Sequence, residues 1–181
     1  MTTTANSTAI SVFRERAEDA RQNLEGTIAD VTQEQASHIP SGKVMPIAAQ
    51  YAHIVATQDL ALHGMLLGAA PLLATTWAGR TGFDKPPPMG PGSSLDEWGH
   101  RIKSDIEAMR EYAIAVYAAC DQHFASMTDE DYNRILDLSQ FGFGKQPMSF
   151  VLANGWINNP LMHAGEISCL KGLLGAKGYP F

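Results

Sequence analysis

Asn159-Pro160-Leu161-Met162-His163-Ala164-Gly165-Glu166-Ile167 carries the chain's densest chemistry, and reading it as helix decides the architecture. On a helix Asn159 and His163 lie one turn apart on a single face, so both can reach one ion or substrate. A third group has to come from another element. The expected donor is His53, in the amphipathic run Tyr51-Ala52-His53-Ile54-Val55-Ala56-Thr57-Gln58-Asp59. Two side chains on one helix and one on a facing helix is how helical bundles build sites in their cores. The remaining helices then frame that pocket.

Working outward, Ile10, Phe13, Ala17, Ala20, Leu24 and Ile28 recur at three- and four-residue steps and predict a first helix from about Thr8 to Ile28 with one buried face. A second helix is predicted from Pro46 to Leu67, with Ala49, His53, Ala56, Leu60, His63 and Leu67 on one stripe. After Gly68 the periodicity fades, and Pro86-Pro87-Pro88 excludes an ordinary helix, so residues 68–93 read as a long crossover. Ser93 or Ser94, with Asp96 and Glu97, supplies helix-start chemistry for a third helix running to about Ala125, with Gly99 as its weak spot. Residues 140–146 form a flexible loop, or a hairpin tip if Ile135–Leu138 is extended. The last helix runs from about Pro147 to Leu174 and contains Pro160, which deletes one backbone hydrogen bond, crowds the Trp156 carbonyl and predicts a kink at the candidate site.

The chain has 181 residues, 45% hydrophobic and 18% charged, which predicts one globular domain spanning residues 1–181. A net charge of −6 and scattered Lys and Arg argue against a nucleic-acid partner, since no basic stripe is present to replace phosphate counterions. Cys120 and Cys169 lie in helical patterns without a CxxC partner, so neither a disulfide framework nor a zinc ribbon is suggested. No run reaches roughly eighteen apolar residues, and the N-terminal residues lack signal-peptide chemistry. The expectation is a soluble, cytoplasmic protein with no membrane partner.

His53 in an Ala-His-Ile-Val-x-x-x-Asp setting, Trp77-Ala78-Gly79-Arg80-Thr81-Gly82, and His163-Ala164-Gly165-Glu166-Ile167 followed by Leu170-Lys171-Gly172 and Lys177-Gly178-Tyr179-Pro180-Phe181 together resemble the DinB-like (DinB/YfiT) superfamily over nearly the whole chain. The resemblance implies an all-α fold, an antiparallel four-helix bundle with a long crossover between helices 2 and 3, usually a homodimer. It also implies a divalent metal, often nickel or zinc, held by one histidine on the second helix and two on the last. Relatives include S-transferases and isomerases that use a low-molecular-weight thiol, while many members have no assigned activity. His53 matches the ligand of the second helix and His163 the second ligand of the last; Asn159 stands where the family has its other histidine. An amide oxygen is a weaker donor than imidazole to late transition metals. The implied metal set is thus His53, Asn159 and His163, in a metal-dependent thiol S-transferase or hydrolase acting on a small molecule. The alternative is a non-catalytic bundle with a degenerate metal site, binding a small apolar ligand or serving as a dimeric interaction module.

Plainer readings stand beside these. His53 and His163 can be hydrogen-bonded core histidines, and Asn159 can satisfy the carbonyl that Pro160 leaves free. Asp59 and His63 read as a rim contact, or Asp59 as a group orienting a ligand from behind. Glu166 reads as a structural hydrogen bond, both cysteines as small buried hydrophobes, and His38, His100 and His123 as solvent-facing. Trp77, Phe83, Trp98 and Trp156 either cover a pocket mouth or pack in the core.

Overall fold

The computed structural model describes residues 8–88 and 94–181, and within them the chain is mostly helical. Ser93 and the stretch 89–92 of the crossover lie outside the described residues, as do residues 1–7. Thr8 caps helix α1 (Ala9–Ile28) through a reciprocal bond with Ser11, and the predicted stripe is buried at Ile10, Phe13, Ala20, Leu24 and Ile28. Thr32 caps the short helix α2 (Gln33–Ser37) in the same way.

Helix α3 (Ile47–Leu60) is buried on almost every side, packing on α5 and α8 as well as on α2. It continues as a π-helical segment, Ala61–Leu67, that ends at Gly68 with φ 62°. The wider turn breaks the single stripe expected through Leu67: Leu62 is buried whereas Leu67 is 48% exposed.

The crossover then returns across α3 and wedges Gly82 against the start of the next long helix. Gly82 has φ +78°, and a Cβ there would sit 2.4 Å from the Met109 backbone nitrogen. Its carbonyl accepts the Asp105 N–H at 2.8 Å, a donor that an uninterrupted helix would need for itself. This is why the predicted continuous helix from Ser94 to Ala125 is instead two: α4 (Leu95–Gly99), capped by Ser94, and α5 (Ile106–Ser126), capped by Asp105.

Helix α6 (Asp129–Asn133) leads into a two-stranded antiparallel hairpin, β1 (Ile135–Asp137) with β2 (Lys145–Pro147), in which Leu136 pairs with Gln146. Of the two readings of residues 135–146, the hairpin is the one found. The last rod is composite: α7 (Met148–Ala153), a π-helical turn (Asn154–Asn158), and α8 (Asn159–Leu173), which packs along α1 and buries Lys171 against the Thr27 carbonyl at 2.7 Å.

Pro160 explains the π turn. The Asn159 N–H donates to Asn154, five residues back, so the Gly155 carbonyl would look to residue 160, where proline has no N–H. Gln58 of α3 fills that gap, its Nε2 donating to the Gly155 carbonyl at 3.1 Å. The expected role of Asn159 as the group satisfying the freed carbonyl therefore falls to Gln58. Among the described residues no helix is long and apolar enough to cross a membrane.

Candidate functional site

α3 and α8 bring His53 and His163 together, with ring centres 5.2 Å apart and planes at 76°. The Nδ1 of His163 faces Glu166 Oε2 at 2.8 Å and Gln50 Oε1 at 3.2 Å. Gln50 is fully buried and spends its Nε2 on the Met45 carbonyl at 3.0 Å, so only its oxygen can face the ring. Two converging acceptors assign the proton of neutral His163 to Nδ1 and leave Nε2 with a free lone pair. Glu166 accordingly orients His163, as the hydrogen-bond reading anticipated. Among the described residues the hydrogen-bonding contact of the His53 ring is a long one, 3.5 Å to the Thr57 hydroxyl. Burial pushes its imidazole down to about 4, helped by repulsion from His163, so it is neutral near pH 7 and available as a donor.

His53 and Asn159 line a cavity of about 350 Å³, walled mainly by apolar groups including Met65, Phe143, Phe150 and Met162. The hairpin contributes Phe143, which leans on Phe150 with ring centres 6.0 Å apart. Asn159 is half-buried, and its Nδ2 is fully shielded, with no hydrogen-bond partner among the described residues.

Two imidazoles bound to one tetrahedral ion at about 2.1 Å each hold their ring centres roughly 5 Å apart. The spacing of His53 and His163 meets that condition, and a carboxylate behind the second ring is the usual way of orienting such a ligand. A third strong donor is lacking: among the described residues no group of three or more His, Cys, Asp or Glu is placed to hold a metal. Among the described residues the two imidazoles thus meet the spacing for one ion without a third histidine beside them.

Other sequence readings need correction. Asp59 and His63 are no rim contact: Asp59 is fully buried, its carboxylate accepts from Leu72 N at 2.9 Å, Leu73 N at 2.8 Å and Tyr112 Oη at 2.6 Å, and His63 Nδ1, 2.8 Å from that carboxylate, has the Asp59 backbone carbonyl as its hydrogen-bond partner at 3.1 Å. It clamps the crossover to α3. Trp77 and Phe83 pack on Tyr112, Trp98 bonds the Lys85 carbonyl, and Trp156 packs on Phe124, so none of these four lines the His53 cavity. His38 is exposed as expected, while His100 and His123 are half-buried. Cys120 is buried as expected but Cys169 is exposed. Burial pushes the Cys120 thiol up to about 12, which keeps it protonated. Gln50 was the residue that sequence reasoning missed; its place one turn before His53 was the available clue.

The family model of the DinB superfamily matches residues 16–167. The chain belongs to the DinB superfamily. A crystal structure described as the conserved protein of locus from Enterococcus faecalis superposes on this DinB-superfamily chain with a TM-score of 0.76 at 17% identity, covering 93% of this chain and 99% of that one. At that identity the likeness speaks for the fold alone. No functionally curated protein is significantly similar. The DinB-superfamily assignment and the paired imidazoles rest on different observations: a match across most of the chain, and the meeting of two residues on α3 and α8.

Proposed function

We propose that this DinB-superfamily chain is a divalent-metal-dependent enzyme of the thiol S-transferase type, acting on a small apolar electrophile. The long rods α1, α3, α5 and α7–α8 are read as the family's antiparallel four-helix bundle, with residues 68–93 as its crossover. The observation that carries the proposal is the His53–His163 pair, 5.2 Å between ring centres, beside a largely apolar cavity. His53 Nε2 and His163 Nε2 would hold nickel or zinc, with the Asn159 amide turned to offer its oxygen. A bound divalent ion would supply Lewis acidity, lowering the pKa of a thiol at its open positions and so raising the nucleophile's concentration at neutral pH. Glu166 and Gln50 keep the His163 ring from rotating, and neutral His53 keeps its lone pair directed without competition from a proton. Phe143, Phe150 and Met162 line the cavity and would receive the apolar part of the electrophile.

Titration of untagged, metal-stripped protein with nickel and zinc tests this directly. One ion per chain should bind, and both His53→Ala and His163→Ala should abolish that stoichiometric binding. Absence of saturable binding to the native chain would remove the metal-dependent reading. With an ion bound, consumption of glutathione, bacillithiol or mycothiol in the presence of an apolar electrophile then tests the transferase type.

Asn159 in place of a histidine favours a second reading, a non-catalytic bundle that binds a small apolar ligand without metal. Under that reading the metal-free protein binds apolar probes in the cavity, and His163→Ala leaves their affinity unchanged.

A further inference from the structure

Among the described residues that line the His53 cavity, none is Lys, Arg, Asp or Glu. That is a property of this cavity and not of the fold, because a second cavity between α1 and α5, of about 420 Å³, is lined by Arg14, Glu15, Glu18, Arg21 and Asp121. Two carboxylates stand behind the helices that carry the imidazoles, and both are engaged. Glu166 Oε2 meets His163 Nδ1 at 2.8 Å, and the buried Asp59 holds the Leu72 and Leu73 amides. His53 itself is neutral near pH 7. An ionised group carried into this space by a ligand loses hydration and meets no side chain of opposite charge, which is costly.

The lining is not wholly apolar, however. Along the π turn, Asn154 and Asn158 form a relay whose direction is fixed at one end. Asn154 Nδ2 donates to the Phe150 carbonyl at 2.8 Å, and that carbonyl can only accept. Asn154 Oδ1 is thereby turned to Asn158, whose Nδ2 donates to it at 3.2 Å. The relay ends on Asn158 Oδ1, the acceptor of an exposed residue on the cavity, so a donor can reach it. Thr57 adds a hydroxyl to the same lining. Met65, Leu138, Phe143, Phe150, Val151 and Met162 make up most of the remainder, with Phe143 and Phe150 6.0 Å apart between ring centres. An apolar enclosure of about 350 Å³ with a few polar groups at hand is the ordinary form of a small-molecule site.

We propose that the His53 cavity takes an uncharged amphiphile, its apolar body against Phe143, Phe150 and Met162 and its amide or hydroxyl head donating to Asn158 Oδ1. This names the substrate class of the site, and it rests on the reading of the cavity as the place where the electrophile binds. Electrophiles that carry a carboxylate or an ammonium group are disfavoured by the same lining.

Hexanamide, hexanoate and hexylammonium, alike in length and different in charge, are the probes. Binding to the metal-free full chain is followed by calorimetry and by nitrogen-15 NMR of the Asn154 and Asn158 side-chain amides. Hexanamide should bind saturably, shift both amides, and bind at least tenfold more tightly than either ion. Asn158→Asp, a change at an exposed position, should reverse the order of hexanamide and hexylammonium. Either ion binding as tightly as hexanamide, no saturable binding, or shifts that leave both asparagines untouched each overturn the proposal. The order of the probes on the native chain decides the matter even if Asn158→Asp fails to fold. Metal titration separates this inference from the function it rests on: no ion bound, with the probe order intact, removes the metal and leaves the ligand class. One ion per chain with a charged probe preferred by the metal-free chain does the reverse.

Discussion

Replacing Asp59 with alanine should detach the crossover from α3 at a cost that can be worked from its contacts. The carboxylate is fully buried and accepts from two successive backbone amides and a tyrosine hydroxyl, with a histidine ring nitrogen 2.8 Å away. Hydrogen bonds to a charged partner contribute about 1.5–3 kcal/mol each, and a donor left buried and unpaired costs a comparable amount. The terms do not add fully, because the freed Leu72 and Leu73 amides can reach water once the 3₁₀ turn Leu72–Ala74 lifts. Tyr112 has no such escape, being wedged between Trp77 and Phe83. A net loss of about 3–5 kcal/mol is expected, the scale seen when one partner of a buried charged cluster is removed. For a chain of this size that lowers the melting temperature by about 10 °C, at roughly 2–4 °C per kcal/mol. Asp59→Asn keeps the shape but turns an amide N–H₂ toward one set of donors, and should lose about 2–3 kcal/mol. Urea denaturation measures both, and hydrogen exchange reports where the loss falls: the amides of Leu72 and Leu73 should exchange far faster while those of α1 do not. A loss under about 1 kcal/mol for Asp59→Ala, with exchange at Leu72 and Leu73 unchanged, would refute the clamp.

Three further outcomes are expected. Gln58→Leu orphans the Gly155 carbonyl and should destabilise by about 1–3 kcal/mol in urea, whereas the double variant with Pro160→Ala, which restores a backbone N–H, should recover part of that loss. Glu25 is largely buried and accepts from Tyr51 at 3.0 Å and Tyr117 at 2.5 Å; desolvation raises its pKa against those bonds and against Arg110 and Arg21. The folded state therefore holds the Glu25 proton longer than the unfolded one, so stability from this group is greatest below the ordinary pKa of roughly 4.3 and declines as pH rises through the folded value. Glu25→Gln should flatten that decline in a pH series of denaturation curves. Asn159→His should raise nickel or zinc affinity at least tenfold by titration, and no gain would mean that position 159 does not converge with the two imidazoles.

Legibility in the sequence followed burial geometry. α1 could be bounded to within a residue because it is wet on one side and dry on the other, which is what periodicity detects. α3 shows almost no such contrast, since nearly every side chain from Ile47 to Ala56 is inside, and its π continuation could not be seen at all. The break before α5 depends on Gly82 arriving from another part of the chain, a long-range event that no local window contains. The meeting of His53 with His163 was legible from spacing and from the family likeness. Its environment was not: Gln50 behind the ring, Asp59 diverted to the crossover, and Gln58 standing in for a missing amide all follow from packing between elements.

The widened turn at Asn154–Asn158 also bears on how relatives should be compared. A π turn amounts to one extra residue tolerated inside a rod, and it advances everything downstream by about a quarter-circle or slightly more, near 100°. Homologous chains that lack the insertion carry their last rod one position out of phase with this one. Gap-free pairing through the segment would then misplace Asn159 and His163 by a single step, and a ligand column scored that way would report the wrong side chain.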